Sequence, residues 1–317
     1  KEKIIKICDL FIEYSLLVIV FFIPLIFDYS LSIYNFFDLY KVIIFRVILI
    51  FILLSFTAKV FINGKLSYRG GTKIFLLAGL TLTSFFISSL VSLHPDQSFW
   101  GSFLRQQGFY NFFNYWLFFA LLILNLENFK QIKRVIITVM AAASLASVYG
   151  LAQYFNFDPL TWDESAHGRI FSTLGQPNFF GHWLIMVLPF SFYGLIFMAK
   201  KALTKFFVSL ILLLQLAGLI FTYSRAAWLG FLGSMFFLII FWLFYKQFKK
   251  IAFGFIGLIL IGVMFVISLN LISPAKSGDY NSIGLVNRLS SLADFKGGSS
   301  RMRLYYLESA VKEIKQA

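Results

Sequence analysis

The chain holds one cysteine, Cys8, among 317 residues. An internal disulfide is therefore excluded, and so is a zinc cluster of paired thiolates. Charge is also scarce. Asp, Glu, Lys and Arg make up 13% of the chain, where a soluble domain carries about 25%. Acidic residues are the scarcest, 14 against 28 basic, which leaves a net charge of +14. In place of charge the chain has 59% apolar residues, 42 of them phenylalanine. Apolar runs near the length needed to cross a bilayer recur along it, which excludes a soluble globular domain. The runs are continuously apolar and do not alternate, which argues against a membrane barrel. No cleavable signal peptide is expected. The first apolar run starts near Leu10, is too long for a signal core, and lacks a small-x-small cleavage site.

Nine spans are expected, at roughly 10–27, 42–62, 74–93, 110–126, 132–155, 179–199, 206–222, 226–245 and 251–271. The fold class that follows is an all-α, polytopic bundle of membrane helices. Residues 1–271 form the transmembrane domain, and 272–317 begin a periplasmic or extracellular loop. Sorting the basic residues by side gives the orientation. Lys1, Lys3 and Lys6, then the loops at 59–73, 130–134, 200–205 and 246–250, hold sixteen basic residues on one side. The other side's loops hold Arg105, Arg169 and Arg225. The positive-inside rule puts the amino terminus in the cytoplasm and residue 272 onward outside. Most of the positive charge thus reads as topology, and no nucleic-acid partner is implied.

The outer arginines are the candidate site. In "TYSRAAW" Ser224 can cap a helix whose first turn holds Arg225, at an end where free N–H groups and the helix dipole already favour an anion. In "GRIFSTLGQPNFFGHW" Pro177 forces an extended or turned backbone before it. Asn178 can cap a helix beginning at Phe179, and the stretch can fold as a re-entrant or lid-like loop that delivers Arg169 to that helix end. Two helix ends with an arginine each could grip a pyrophosphate. Arg105 lies in "SFWGSFLRQQGFYNF", where Gly101 and Gly108 allow a tight loop and Trp100 and Phe103 suit the interface. Arg46 lies inside the second span near its outer end, where an arginine either serves function or snorkels outward. His94, His167 and His182 are not spaced as metal ligands, and the outer carboxylates contain no Asp-x-Asp pair. A metal-independent site without cofactor is expected, with His167, beside Arg169, as a candidate general base. The tail stretch "RMRLYYLESAVKEIKQA" reads as an amphipathic helix with Leu304, Leu307, Val311 and Ile314 on one face, its start capped by Ser299 or Ser300.

"RIFSTLGQPNFFGHWLIMVLPF" and "TYSRAAWLGFLGS" resemble the two signature stretches of the O-antigen ligase and polymerase superfamily. "FWGSFLRQQGFYNFFNYWLFF" resembles a stretch common in a bacterial branch of it. "SSRMRLYYLESAVKEI" is similar to the start of its long periplasmic loop. The resemblance spans roughly residues 90–317. It implies a GT-C-type glycosyltransferase in the bacterial cytoplasmic (inner) membrane. Such an enzyme moves a glycan from undecaprenyl pyrophosphate to a hydroxyl of a lipid, glycan or protein acceptor outside the cytoplasm, with inversion. It needs neither metal nor nucleotide sugar. By the resemblance, Arg169 and Arg225 bind the donor pyrophosphate and stabilise it as leaving group. Arg105 and Arg46 are expected as further members from their own placement in the sequence. Asn178 shapes the site through its cap, and Arg303 lines it from the tail helix. Gln176 stands where many relatives have asparagine, and His182 where a small or aromatic residue is usual. In relatives the loop runs on into a Pro-Leu-x-Gly-x-Gly-like stretch, an acceptor-activating histidine and further spans. By that comparison the chain is the amino-terminal part of such an enzyme and is inactive alone.

Two other functions fit the same residues. A transporter or flippase for a lipid-linked glycan would use the arginines to move the pyrophosphate, and calls for polar groups deep in the bundle and inverted repeats. A scaffold for cell-wall assembly would leave the arginines replaceable. The polar groups gather at one face and no repeat is visible, which favours the transferase.

Overall fold

The computed structural model describes residues 1–28, 37–64, 72–102, 106–160, 169–245, 249, 253 and 298–316. The described residues form helices α1 (Glu2–Phe22), α2 (Leu39–Asn63), α3 (Thr72–Leu90), α4 (Pro95–Trp100), α5 (Phe109–Asn125) and α6 (Phe129–Tyr154). A 3-10 turn at Ser172–Leu174 leads to α7 (Pro177–Tyr193), a π-helical turn at Gly194–Met198, α8 (Ala202–Phe221), α9 (Arg225–Phe244) and α10 (Gly298–Gln316). No strand occurs among the described residues. Six helices are long and apolar enough to cross a membrane: α2, α3, α6, α7 with its π turn, α8 and α9. The chain is a polytopic helical membrane protein. Expected spans 10–27 and 110–126 coincide with α1, which also carries Asp9 and Glu13, and with the shorter apolar α5. The span expected at 251–271 lies outside the described residues.

The chain divides into two compact units. The first is Lys1–Asp163 with Ile170–Thr222, and the second is Glu164–Arg169 with Tyr223–Ala317. In the first, Ile12, Leu16 and Ile19 of α1 pack with Phe45, Leu49 and Ile52 of α2 and Leu121 of α5. Their spacing of three, four and seven residues puts each set on one stripe of its helix. Helix α3 is held against α5 by phenylalanines. Phe85 stacks on Phe112 at 4.6 Å, and Phe86 meets Phe109 at 5.1 Å. Helices α6, α7 and α8 pack differently, through small residues. Ala142, Ala143, Ala146 and Ser147 of α6 are buried, and a Cβ on Gly218 of α8 would lie 3.1 Å from the Ser147 hydroxyl. Lipid offers no hydrophobic drive for helices to associate, so close backbone approach and buried polar bonds take its place. Here the Ser191 hydroxyl of α7 donates to Gln215 Oε1 of α8 at 2.6 Å, and Gln215 Nε2 donates to the Met140 carbonyl of α6 at 3.2 Å.

Ion pairs tie one end of the first unit. Arg134 of α6 pairs with Glu13 of α1, and Gln131 Nε2 donates to the same carboxylate at 3.1 Å. Lys59 of α2 bridges Asp9 of α1 at 2.5 Å and Asn125 of α5 at 3.2 Å. Four helices are thereby joined at what we call the Glu13 end, α1 and α6 by their amino-terminal halves and α2 and α5 by their carboxyl-terminal ends. Their opposite termini, with residues 23–24, 38–41, 106–111 and 153–154, form the Lys41 end.

In the second unit, α9 buries Trp228, Met235, Ile239 and Trp242 along one stripe. Helix α10 leaves Leu304, Leu307 and Val311 exposed. It begins at Gly298, so Ser299 and Ser300 fall within its first turn and not before it, contrary to the capping expected of them.

Replacing Arg134 by Ala is expected to cost about 2 kcal/mol. This is below the ~3–5 kcal/mol of a fully buried pair because the arginine is 47% exposed while Glu13 is 8% exposed. Melting in detergent measures it, and adding Glu13→Gln should recover most of the loss. An unchanged melting temperature in Arg134→Ala would rule the clamp out.

Candidate functional site

The first signature stretch is wedged into the bundle. Ile170, Phe171, Ser172 and Thr173 are all buried, so the segment is packed and does not lie over the surface as a lid. Several of its polar groups are bound to neighbouring elements. The Ser172 N–H donates to Gln153 Oε1 at 2.8 Å, and its hydroxyl donates to the Ala146 carbonyl at 2.6 Å. The Thr173 hydroxyl donates to the Pro24 carbonyl at 2.7 Å, and the Thr173 carbonyl accepts from Lys41 Nζ at 2.6 Å. The stretch turns at Gly175, where φ is +73° and a Cβ would enter the ring of Phe37. Glycine is required there twice over, for backbone hand and for space.

Helix α7 then begins at Pro177, with Gln176 as its cap residue. This corrects the capping role expected of Asn178, which is the second residue of the helix. Proline lacks an N–H that the first helical position would leave unpaired anyway, and its fixed φ suits the helix. The helix therefore starts at the proline instead of after it.

The second stretch folds as its residues suggest. The Ser224 hydroxyl accepts from the Ala227 N–H at 3.4 Å, Arg225 is the first residue of α9, and the first turn holds no acidic residue. Just before the cap, Tyr223 is buried with φ +48°. Ser172 in the first stretch also has a left-handed backbone, φ +53°. Non-glycine residues in this region cost energy and persist where the surroundings hold them, commonly at functional sites.

The two stretches meet. The Ile170 N–H donates to the Phe221 carbonyl at 3.2 Å. Arg169 immediately precedes that donor, and Arg225 follows that acceptor by four residues. Both arginines belong to the second unit.

Residues 208–317 match the family model for O-antigen ligase. The match supports the O-antigen ligase and polymerase superfamily, with its glycosyltransferase activity and its lipid-linked glycan and acceptor substrates. It takes in Ser224, Arg225 and Arg303, and the two resembling stretches at its carboxyl-terminal side. No curated protein and no solved structure matches the chain.

Arg46 and Asn178 belong to the first unit. Arg46 does not snorkel outward. Its guanidinium lies 4.7 Å over the Tyr110 ring, and Nη1 donates to Gln106 Oε1 at 3.3 Å. Gln106 itself has φ +53°. It sits where the tight loop expected from Gly101 and Gly108 is present, with a Cβ on Gly101 only 2.5 Å from the backbone nitrogens of Gln107 and Gly108. Arg105 and His167 lie outside the described residues, and Arg303 lies in α10 with its side chain outside the description. Among the described residues, no three His, Cys, Asp or Glu side chains gather where a metal ion could sit. One cation escaped the sequence reading. Lys41 occupies position 41, a single residue before the span expected at 42–62, and so was counted with no loop. Counting basic residues up to the span edge would have found it.

Gly175→Ala is expected to lower stability by about 1–2 kcal/mol from the left-handed backbone alone, with more lost as Phe37 is displaced. Thermal melting in detergent reads this. Phe37→Ala in the same chain should relieve the clash but not the backbone strain, and a wild-type melting temperature for Gly175→Ala would contradict the assignment.

Proposed function

We propose that this protein is a metal-independent, inverting glycosyltransferase that moves a glycan from undecaprenyl pyrophosphate to an acceptor hydroxyl. The acceptor is a lipid, a glycan or a protein, as in an O-antigen ligase or polymerase. It works in the bacterial cytoplasmic membrane with its amino terminus in the cytoplasm and Arg169 and Arg225 on the periplasmic or extracellular side. The observation that carries the reading is the hydrogen bond between Ile170 and Phe221, which ties the segment after Arg169 to the chain leading into Arg225. The Ser224-capped helix supports it, because a helix start with an arginine and no acid is suited to an anion. The family match over residues 208–317 supports it as well.

In the reaction the bond from the anomeric carbon to the pyrophosphate oxygen breaks, and its electron pair stays on the pyrophosphate. The acceptor oxygen bonds to the opposite face of that carbon and gives up its proton. The two guanidinium groups stabilise charge that grows on the leaving group, so they act more strongly in the transition state than on the intact donor. His167 is the proposed base for the acceptor proton. Arg105 and Arg303 are proposed to add positive charge around the donor.

The test is transfer in proteoliposomes by the natural-length protein from an undecaprenyl-pyrophosphate glycan, with chelator present. Arg225→Ala is expected to lower product formation at least about a hundredfold while the protein inserts and melts as wild type does. Normal product from that variant would overturn the reading. Donor crossing the bilayer without product would replace the transferase with a transporter.

A further inference from the structure

A cavity of about 570 Å³ opens at the Lys41 end of the first unit, and the transfer reading makes no use of it. Its wall includes the apolar residues Ile19, Val42 and Phe118 and the polar residues Asp38, Lys41, Gln107 and Asn111. Asn111 is 3% exposed. Its Nδ2 donates to the Tyr115 hydroxyl at 2.9 Å, but its Oδ1 is buried with no hydrogen-bond partner among the described residues. Beside this wall stands Arg46, whose partners Gln106 and Tyr110 directly precede Gln107 and Asn111 in the chain. Arg46 Nε and Nη2 are also buried without a partner, and Arg46 makes no ion pair among the described residues.

A buried guanidinium with no counter-charge and a buried amide oxygen with no donor are both costly in a membrane interior. Together they call for a ligand that is an anion on one part and a hydrogen-bond donor on another. Lys41 and Arg46 against Asp38 leave a single net positive charge, which matches a phosphodiester better than a pyrophosphate. The apolar residues of the wall suit a hydrocarbon chain. The unpartnered Asn111 Oδ1 suits a hydroxyl on the headgroup.

We propose that this cavity binds a bilayer phospholipid with a phosphodiester and a hydroxylated headgroup, with Arg46 and Lys41 facing the phosphate and Asn111 accepting from the headgroup. The site lies wholly in the first unit and does not depend on the transfer reaction.

The experiment is native mass spectrometry of the delipidated full chain titrated with phosphatidylglycerol, with phosphatidylcholine of the same acyl chains, or with undecaprenyl pyrophosphate. Phosphatidylglycerol should be retained about tenfold better than phosphatidylcholine, the worth of one hydrogen bond to a buried polar group. Arg46→Gln should lower its retention about tenfold. Lys130→Gln, at the Glu13 end, should not. Should Arg46→Gln fail to fold, Asn111→Asp changes no volume, places a negative charge in the wall and should lower retention likewise. Equal retention of the two phospholipids, or undiminished phosphatidylglycerol in both Arg46→Gln and Asn111→Asp, would overturn the proposal. So would Arg46-dependent retention of undecaprenyl pyrophosphate alone, which would move Arg46 to the donor site.

Discussion

The Lys41 end is organised around the two oxygens of Thr173. Its hydroxyl reaches the Pro24 carbonyl just beyond α1, and its carbonyl takes the Lys41 ammonium at the start of α2. Hydrocarbon offers no hydrogen bonds, so irregular backbone at this depth survives only where protein partners replace water. Segment 170–174 meets that condition residue by residue. Because Ser172 is bonded to α6 and Ile170 to the end of α8, one short stretch fixes four helix ends at once.

The two ends of the first unit handle charge in opposite ways. At the Glu13 end Lys59 and Arg134 meet the carboxylates of Asp9 and Glu13. At the other end Lys41 and Arg46 meet a carbonyl, an amide and an aromatic face. Neutral partners orient a cation without neutralising it, and Asp38 in the same cavity wall offsets one of the two charges.

Much of this was legible in the sequence because it rests on local rules. Span length needs only counting, and eight of the nine expected spans coincide with helices. The Ser224 cap is a contact three residues long, written in one line of sequence. Asn178 was misassigned because two local rules competed there, and proline's tolerance at the first helical position prevailed. What local rules could not supply were contacts between distant residues. Arg46 is visible as an arginine within a span, but Tyr110, which receives it, is 64 positions away. The strained backbones of Ser172 and Tyr223 have no residue signature, since neither is a glycine. Asn111 reads as an ordinary polar residue at a helix start until its oxygen is found without a donor.

The crossing of Gly101 and Gly108 carries a consequence for the entry into α5. Their backbones touch, so the neck of the loop between α4 and α5 is closed by main chain alone. The start of α5, and with it Tyr110 and Asn111, is set by that neck and not by the residues it encloses. Gly101 and Gly108 are thus the two positions of this loop where a side chain of any size would displace main chain.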